Sequence, residues 1–269
     1  MYGVQIAFRD FNPFVGIWES PWVGFKHFTD FFSSIYFGRL IRNTLVISLL
    51  NLGIGFPAAI IMALMINEIN NHRFKRVVQT IAYLPHFISS VVVAGLVLSI
   101  LATRTGIINQ LIAALGFEEI TFMTKAPLFP FILVGADVWQ GTGWGSIIYL
   151  ATITSIDPAL YEAAVVDGAS RWKQMKYITL PCIMPTIVIM FILRVGSLFT
   201  VGFQKILLMY NPQIYERADV IGTYVYRRGL MGLEYSFGSA VDLFNTVLNL
   251  IMLLVFNKLS KVVTKTSLW

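Results

Sequence analysis

Glu162 is followed directly by Ala163 and Ala164, after three more residues by Gly168, and after nine more by Ile178, Leu180 and Pro181. A single carboxylate beside two alanines suits docking into a groove on another protein, because small neighbours allow close approach and a charge-assisted pair fixes register. Asp137 and Arg194 lie inside strongly apolar stretches. Ionisable groups in such surroundings are costly and usually face a partner or a water-filled path. At ~1.5 Å per residue, the two lie roughly 24 and 21 Å from the ends of their runs that border residues 154–179, so their depths match. Pairing across helices and a role along a pathway both fit. Trp139, Gln140 and Trp144 alternate with Gly141, Gly143 and Gly145. Indole faces stack on the apolar faces of pyranose rings and amides bond hydroxyls, so the cluster suits a sugar corridor. It equally suits small-residue helix packing filled in by aromatics.

The stretch that holds Glu162 reads as two short helices. Asp157 is a good N-cap and Pro158 a good first helical residue. Leu160, Ala163 and Ala164 continue the helix, and Gly168 breaks it, since glycine takes positive φ cheaply. Ser170 can cap a second helix carrying Arg171, Lys173 and Lys176, which leads into Leu180-Pro181.

The flanks of this stretch are membrane-like. Of 269 residues, 57% are hydrophobic and only 13% charged, against about 25% charged in soluble domains. Mean hydropathy is +0.72. Apolar runs near 41–66, 77–101, 127–153, 180–203 and 239–256 predict an all-α polytopic transmembrane bundle with five spans. Residues 107–115 predict a short amphipathic stretch. Residues 1–40 read as an external segment with interfacial aromatics such as Trp18, Trp22 and Phe25. The transmembrane domain is taken as 41–257, with the helix-bend-helix loop at 155–181 and a tail at 258–269. Segments 67–76, 154–179 and 257–269 carry nine Lys and Arg in 49 positions, while 1–40, 102–126 and 204–238 carry nine in 100. The denser set is expected on the cytoplasmic side, which puts Met1 outside and the carboxyl terminus inside a cell membrane. An exported amino-terminal segment needs a hydrophobic segment ahead of it, so a further helix is expected upstream of Met1. The net charge of +6 then marks cytoplasmic ends rather than nucleic-acid binding.

The pattern EAA, x3, G, x9, I-x-LP is met at every fixed position from Glu162 to Pro181 and resembles the coupling loop of ABC importer permeases. MYGVQIAFRDFNPF, GWGSIIYLATITSIDPALYEAAVVDGASRWKQMKYITLP, ILLMYNPQIYERADVIGTYVYRRGL and the final SLW extend the likeness over most of the chain. They resemble the carbohydrate-uptake, maltose-type class, and within it oligosaccharide permeases of the LplB/YteP type. The resemblance implies a six-span helical permease, with the first helix absent from this sequence. It also implies a second permease subunit, a pair of ABC ATPase subunits and an extracytoplasmic sugar-binding protein. It gives Glu162 an arginine partner in the ATPase cleft. Arg227 and Arg228 would meet a binding protein's acidic rim or anchor their loop.

No catalytic residue, metal or cofactor is expected. Cys182 is the only cysteine, and His27, His72 and His86 share no ligand spacing. A phosphate-binding G-x-x-x-x-G-K-[ST] motif is absent, so ATP hydrolysis falls to a partner. An ion-driven secondary transporter is the alternative, and it predicts internal repeats that the chain lacks. An intramembrane hydrolase using Asp137 and Asp242 is weaker, because the two aspartates differ in depth.

Overall fold

The computed structural model describes residues 2–268. It is helical throughout, and among the described residues the β-structure is one isolated antiparallel bridge, Arg9 to Trp22. In chain order the α-helices are α1 (Lys26–Phe32), α2 (Phe37–Asn67), α3 (His72–Tyr83), α4 (Ser90–Ile100), α5 (Ile107–Ala114), α6 (Phe129–Thr154), α7 (Pro158–Val166), α8 (Arg171–Gln174), α9 (Leu180–Val195), α10 (Phe203–Met209), α11 (Tyr215–Ala218), α12 (Ile221–Val225) and α13 (Tyr235–Thr264).

Three rods are long and apolar enough to cross a bilayer: the 31 residues of α2, the 25 of Arg171–Val195, and the 29 of Tyr235–Val263. The middle rod joins α8 to α9 through a π-turn, Met175–Thr179, a one-residue insertion of a kind often found at functional sites. The apolar run 77–101 is not one helix. It breaks at Leu84–Phe87 into α3 and α4, which are long and apolar enough to cross only when taken together. Pro85 has no amide hydrogen to continue the ladder, which accounts for the break. Helix α6 spans 26 residues, yet it is not among the rods apolar enough by composition. Asp137, Gln140 and the glycines that follow lower its apolarity at the centre. Of the five expected spans, three fall on rods long and apolar enough to cross, a fourth is met only if the bent pair α3–α4 counts as one span, and the run 127–153 falls on α6, which is less apolar. Leu49, Ile54, Ile61 and Met65 of α2 and Val247, Leu250 and Leu254 of α13 are exposed. In a bilayer this carries no penalty, because lipid tails are as apolar as leucine.

The chain forms two compact units. The first takes the segment to Leu50, Ser90–Leu133 and Ser197–Met252. Its core is Phe31, Leu40, Phe199, Ile221, Tyr224, Phe237 and Val241. Beside it, the fully buried Asp219 carboxylate receives Arg39 at 3.2 Å and Arg227 at 2.9 Å. Burial alone would lower the Arg227 pKa, but the hydrogen bonds and charge of Asp219 outweigh it and raise the value. Asn43 donates to the Asp219 carbonyl at 2.9 Å and to that of Glu216 at 3.0 Å. The first turns of α2 therefore hold the 215–227 connection.

The second unit takes Asn51–Ser89, Val134–Gly196 and the chain from Leu253. Ala59, Ala63, Ile66, Tyr149, Leu150, Ile153 and Ile183 form its core. Alanines on α2 let the helices around them come close, as small residues do in membranes. This unit holds the carboxylate loop and the mid-span polar residues.

Candidate functional site

The loop begins where Asp157 Oδ1 accepts from the Ala159 amide at 2.9 Å, with Pro158 at the first helical position. Helix α7 closes with Asp167 N donating to Ala163 O at 3.0 Å and Ala169 N to Ala164 O at 2.8 Å. That closure needs a left-handed residue, and Gly168 supplies it at φ +74°. Ser170 Oγ then accepts from Lys173 N at 3.4 Å and starts α8. Three further ties set the bend. Tyr161 Oη and Thr179 Oγ1 lie 2.9 Å apart, Gln174 Nε2 donates to Ala169 O at 3.0 Å, and Arg171 donates to Asn70 at 3.2 Å.

The seven pattern residues divide by exposure. Glu162, Ala163, Gly168 and Pro181 are exposed; Ala164, Ile178 and Leu180 are half-buried. Leu180 packs on the core of the second unit, so the end of the motif anchors the loop while its start is presented outward. Val165 and Val166, three and four residues on from Glu162 and so beside it on α7, are exposed, as are Trp172 and Tyr177 farther along the loop. The sequence pattern did not single out these four. Their signal is composition, since large apolar side chains crowd a segment that is otherwise polar.

Asp137 and Arg194 meet at a residue the sequence marked only as a polar interruption. Arg194 Nη2 donates to Asn51 Oδ1 at 2.8 Å, and Asn51 Nδ2 donates to Asp137 Oδ2 at 3.1 Å. One amide thus serves a cation and a carboxylate, using an acceptor and a donor at once. Gly55, one turn further along α2, leaves room for it; a Cβ there would stand 2.8 Å from Asn51 Oδ1.

Asp137, Gln140 and Trp144 recur at three and four residues and share one stripe of α6, while Trp139 is turned away from it. Gln140 Nε2 donates to the Ile88 carbonyl at 2.7 Å, which satisfies backbone freed by the break after α3. Trp144 stacks on His86 with centroids 4.6 Å apart and planes 4° from parallel, and Phe87 meets it edge-on at 5.7 Å. A side chain at Gly143 would collide with the Ala82 carbonyl. Gln140, Gly143 and Trp144 therefore clasp the broken helix. Trp139 and Trp144 each keep about half their surface open, at 50% and 47%.

Arg227 is committed to Asp219, and Arg228 binds Glu234 at 2.8 Å while lying 3.8 Å over the Phe237 ring. Of the two roles left open for these arginines, the geometry favours anchoring the loop.

Comparison with known proteins agrees across the chain. The family described as "Binding-protein-dependent transport system inner membrane component" matches residues 55–264. Protein LplB of Bacillus subtilis (strain 168) is 42% identical over 97% of this chain and 82% of its own length. The polygalacturonan/rhamnogalacturonan transport system permease protein YteP of the same organism is 43% identical over 97% of this chain and 81% of its own. A chain in the crystal structure of a bacterial alginate ABC transporter, in complex with an alginate pentasaccharide-bound periplasmic protein, superposes with a TM-score of 0.90. It is 45% identical and is matched over 99% of this chain and 88% of that one.

Proposed function

This chain belongs to the binding-protein-dependent transport system inner membrane component family, and from that premise we propose that it is a transmembrane subunit of an ATP-driven oligosaccharide importer, coupled to a separate ATPase through Glu162. Its partners in this reading are a second permease subunit, a pair of ABC ATPase subunits and an extracytoplasmic sugar-binding protein. The transport names of its relatives support a saccharide cargo.

One observation carries the coupling role. An exposed carboxylate stands on a capped helix beside exposed Val165 and Val166, on a loop continuous with α6 and α9. The exposed apolar side chains of the loop supply docking area, and a charge-assisted pair to an arginine fixes the register. Because Tyr161–Thr179 and Gln174–Ala169 brace the bend, a push on α7 reaches α9 as a rigid-body movement. The loop and the carboxyl tail face the cytoplasm, and the connection 204–238 faces outward. Half-open Trp139 and Trp144 offer faces to pyranose rings, while Asp137, Gln140 and Arg194 hold the helices that carry them.

The test is Glu162→Lys in the reconstituted complex. The variant is expected to insert and assemble at normal levels but to hydrolyse ATP without matching uptake. Uptake at the unmodified rate would remove Glu162 from the coupling contact.

A further inference from the structure

The segment ahead of α2 is a rigid finger with an apolar tip. Arg9 organises its base. The Arg9 guanidinium donates to the Trp18 carbonyl at 3.0 Å and the Ser20 carbonyl at 2.7 Å, and lies 5.7 Å from the centroids of both the Trp18 and Trp22 rings. Buried Ser20 accepts from Asn12 N at 3.0 Å and donates to Gly16 O at 2.6 Å. Asn12 Oδ1 accepts from Phe14 N at 3.0 Å, and Gly16 closes the turn at φ +87°. The turn is fixed, and it leaves Phe14 97% exposed next to exposed Pro13 and Val15.

Four contacts, two from Phe11 and two from Phe32, fix the level of this finger. Phe11 N donates to Ser236 Oγ at 2.8 Å, and its ring meets Tyr235 edge-on at 6.3 Å. Farther on, Phe32 packs on Phe37 and Phe244 with centroids 5.5 and 5.2 Å apart. Phe37 and Tyr235 are the first residues of α2 and α13, both long and apolar enough to span. The finger is therefore tied to the ends of two membrane helices, at the depth where aromatic side chains concentrate between headgroups and acyl chains. Arg9 spends its charge inside the loop, and the charged residues between positions 10 and 20 are Asp10 and Glu19, both acidic, so an anionic surface is not the attraction.

The geometry points to residues 12–18 as an interfacial anchor that seats Phe14 and Val15 in the headgroup–acyl boundary of a neutral bilayer. The inference needs only that α2 and α13 cross the membrane, and it is independent of the Glu162 reading. It is tested with nitroxide labels at Phe14→Cys and, separately, Glu19→Cys, each in a Cys182→Ser background. The assembled complex is placed in phosphatidylcholine vesicles, with and without the binding protein. Collisions are measured with oxygen, which concentrates in lipid, and with a water-soluble nickel chelate. Position 14 is expected to favour oxygen and position 19 nickel, with no change when the binding protein is added. Nickel collisions at 14 equal to those at 19 would overturn the anchor. So would shielding of 14 that appears only on adding the binding protein, which would make the finger a protein-docking surface. Shielding of 14 from both reagents in the complex without binding protein would equally overturn it, by assigning the tip to a contact between subunits.

Discussion

At the scale of single residues, Asn51 connects the two mid-span charges. Asn51→Leu deprives Arg194 of an acceptor and Asp137 of a donor. The expected cost is ~0.5–1.5 kcal/mol per lost hydrogen bond, the usual net worth of one, read as a lower thermal transition of the purified complex with reduced uptake. A midpoint equal to that of the unmodified complex would mean the amide is dispensable. The charged pair was legible from the sequence, because ionisable residues stand out in apolar runs and depth follows from helical rise. Asn51 was not, because its rotation about α2 depends on which neighbours pack there. Trp139 tests the pathway separately. Trp139→Ala is expected to raise the KM for uptake while leaving assembly intact, and an unchanged KM would assign the indole to lipid.

Among elements, the loop of α7 and α8 was the most readable. Its cap, break and second cap are local chemistry at Asp157, Gly168 and Ser170, and no distant contact has to override them. Gly168→Ala forces a Cβ into the left-handed region at φ +74°, a cost of roughly 1–2 kcal/mol. Weaker co-purification of the ATPase is expected, with membrane insertion unchanged; full retention would show that the bend tolerates the strain. The break between α3 and α4 was hidden, because residues 77–101 are apolar enough for an unbroken span. What makes it tolerable lies 52 residues away, in the Gln140 bond to Ile88. Gln140→Leu should speed amide hydrogen exchange across 84–90, and an unaltered exchange pattern would show that the clasp does not depend on that bond.

For the whole molecule, composition gave the membrane class and the helical fold, because 57% hydrophobic residues with 13% charged leaves little else. The longest polar connection was less readable. Its structure depends on Asp219, a buried carboxylate held by Arg39 from α2 and Arg227 from 226–231, and nothing local in the sequence pairs residues 180 positions apart. Asp219→Asn is expected to lower the thermal midpoint of the complex. The loss should fall below the ~3–5 kcal/mol typical of breaking a fully buried pair, since both arginines stay about one-third exposed, at 28% and 33%. An ATP-driven importer further requires that the loop face the cytoplasm and be covered by the ATPase. The most direct measurement is labelling of Glu162→Cys, in a Cys182→Ser background, with a membrane-impermeant maleimide in oriented vesicles. The cysteine should react only from the cytoplasmic face and be shielded when the ATPase is bound. Labelling from the outer face, or equal labelling with and without the ATPase, would contradict the account.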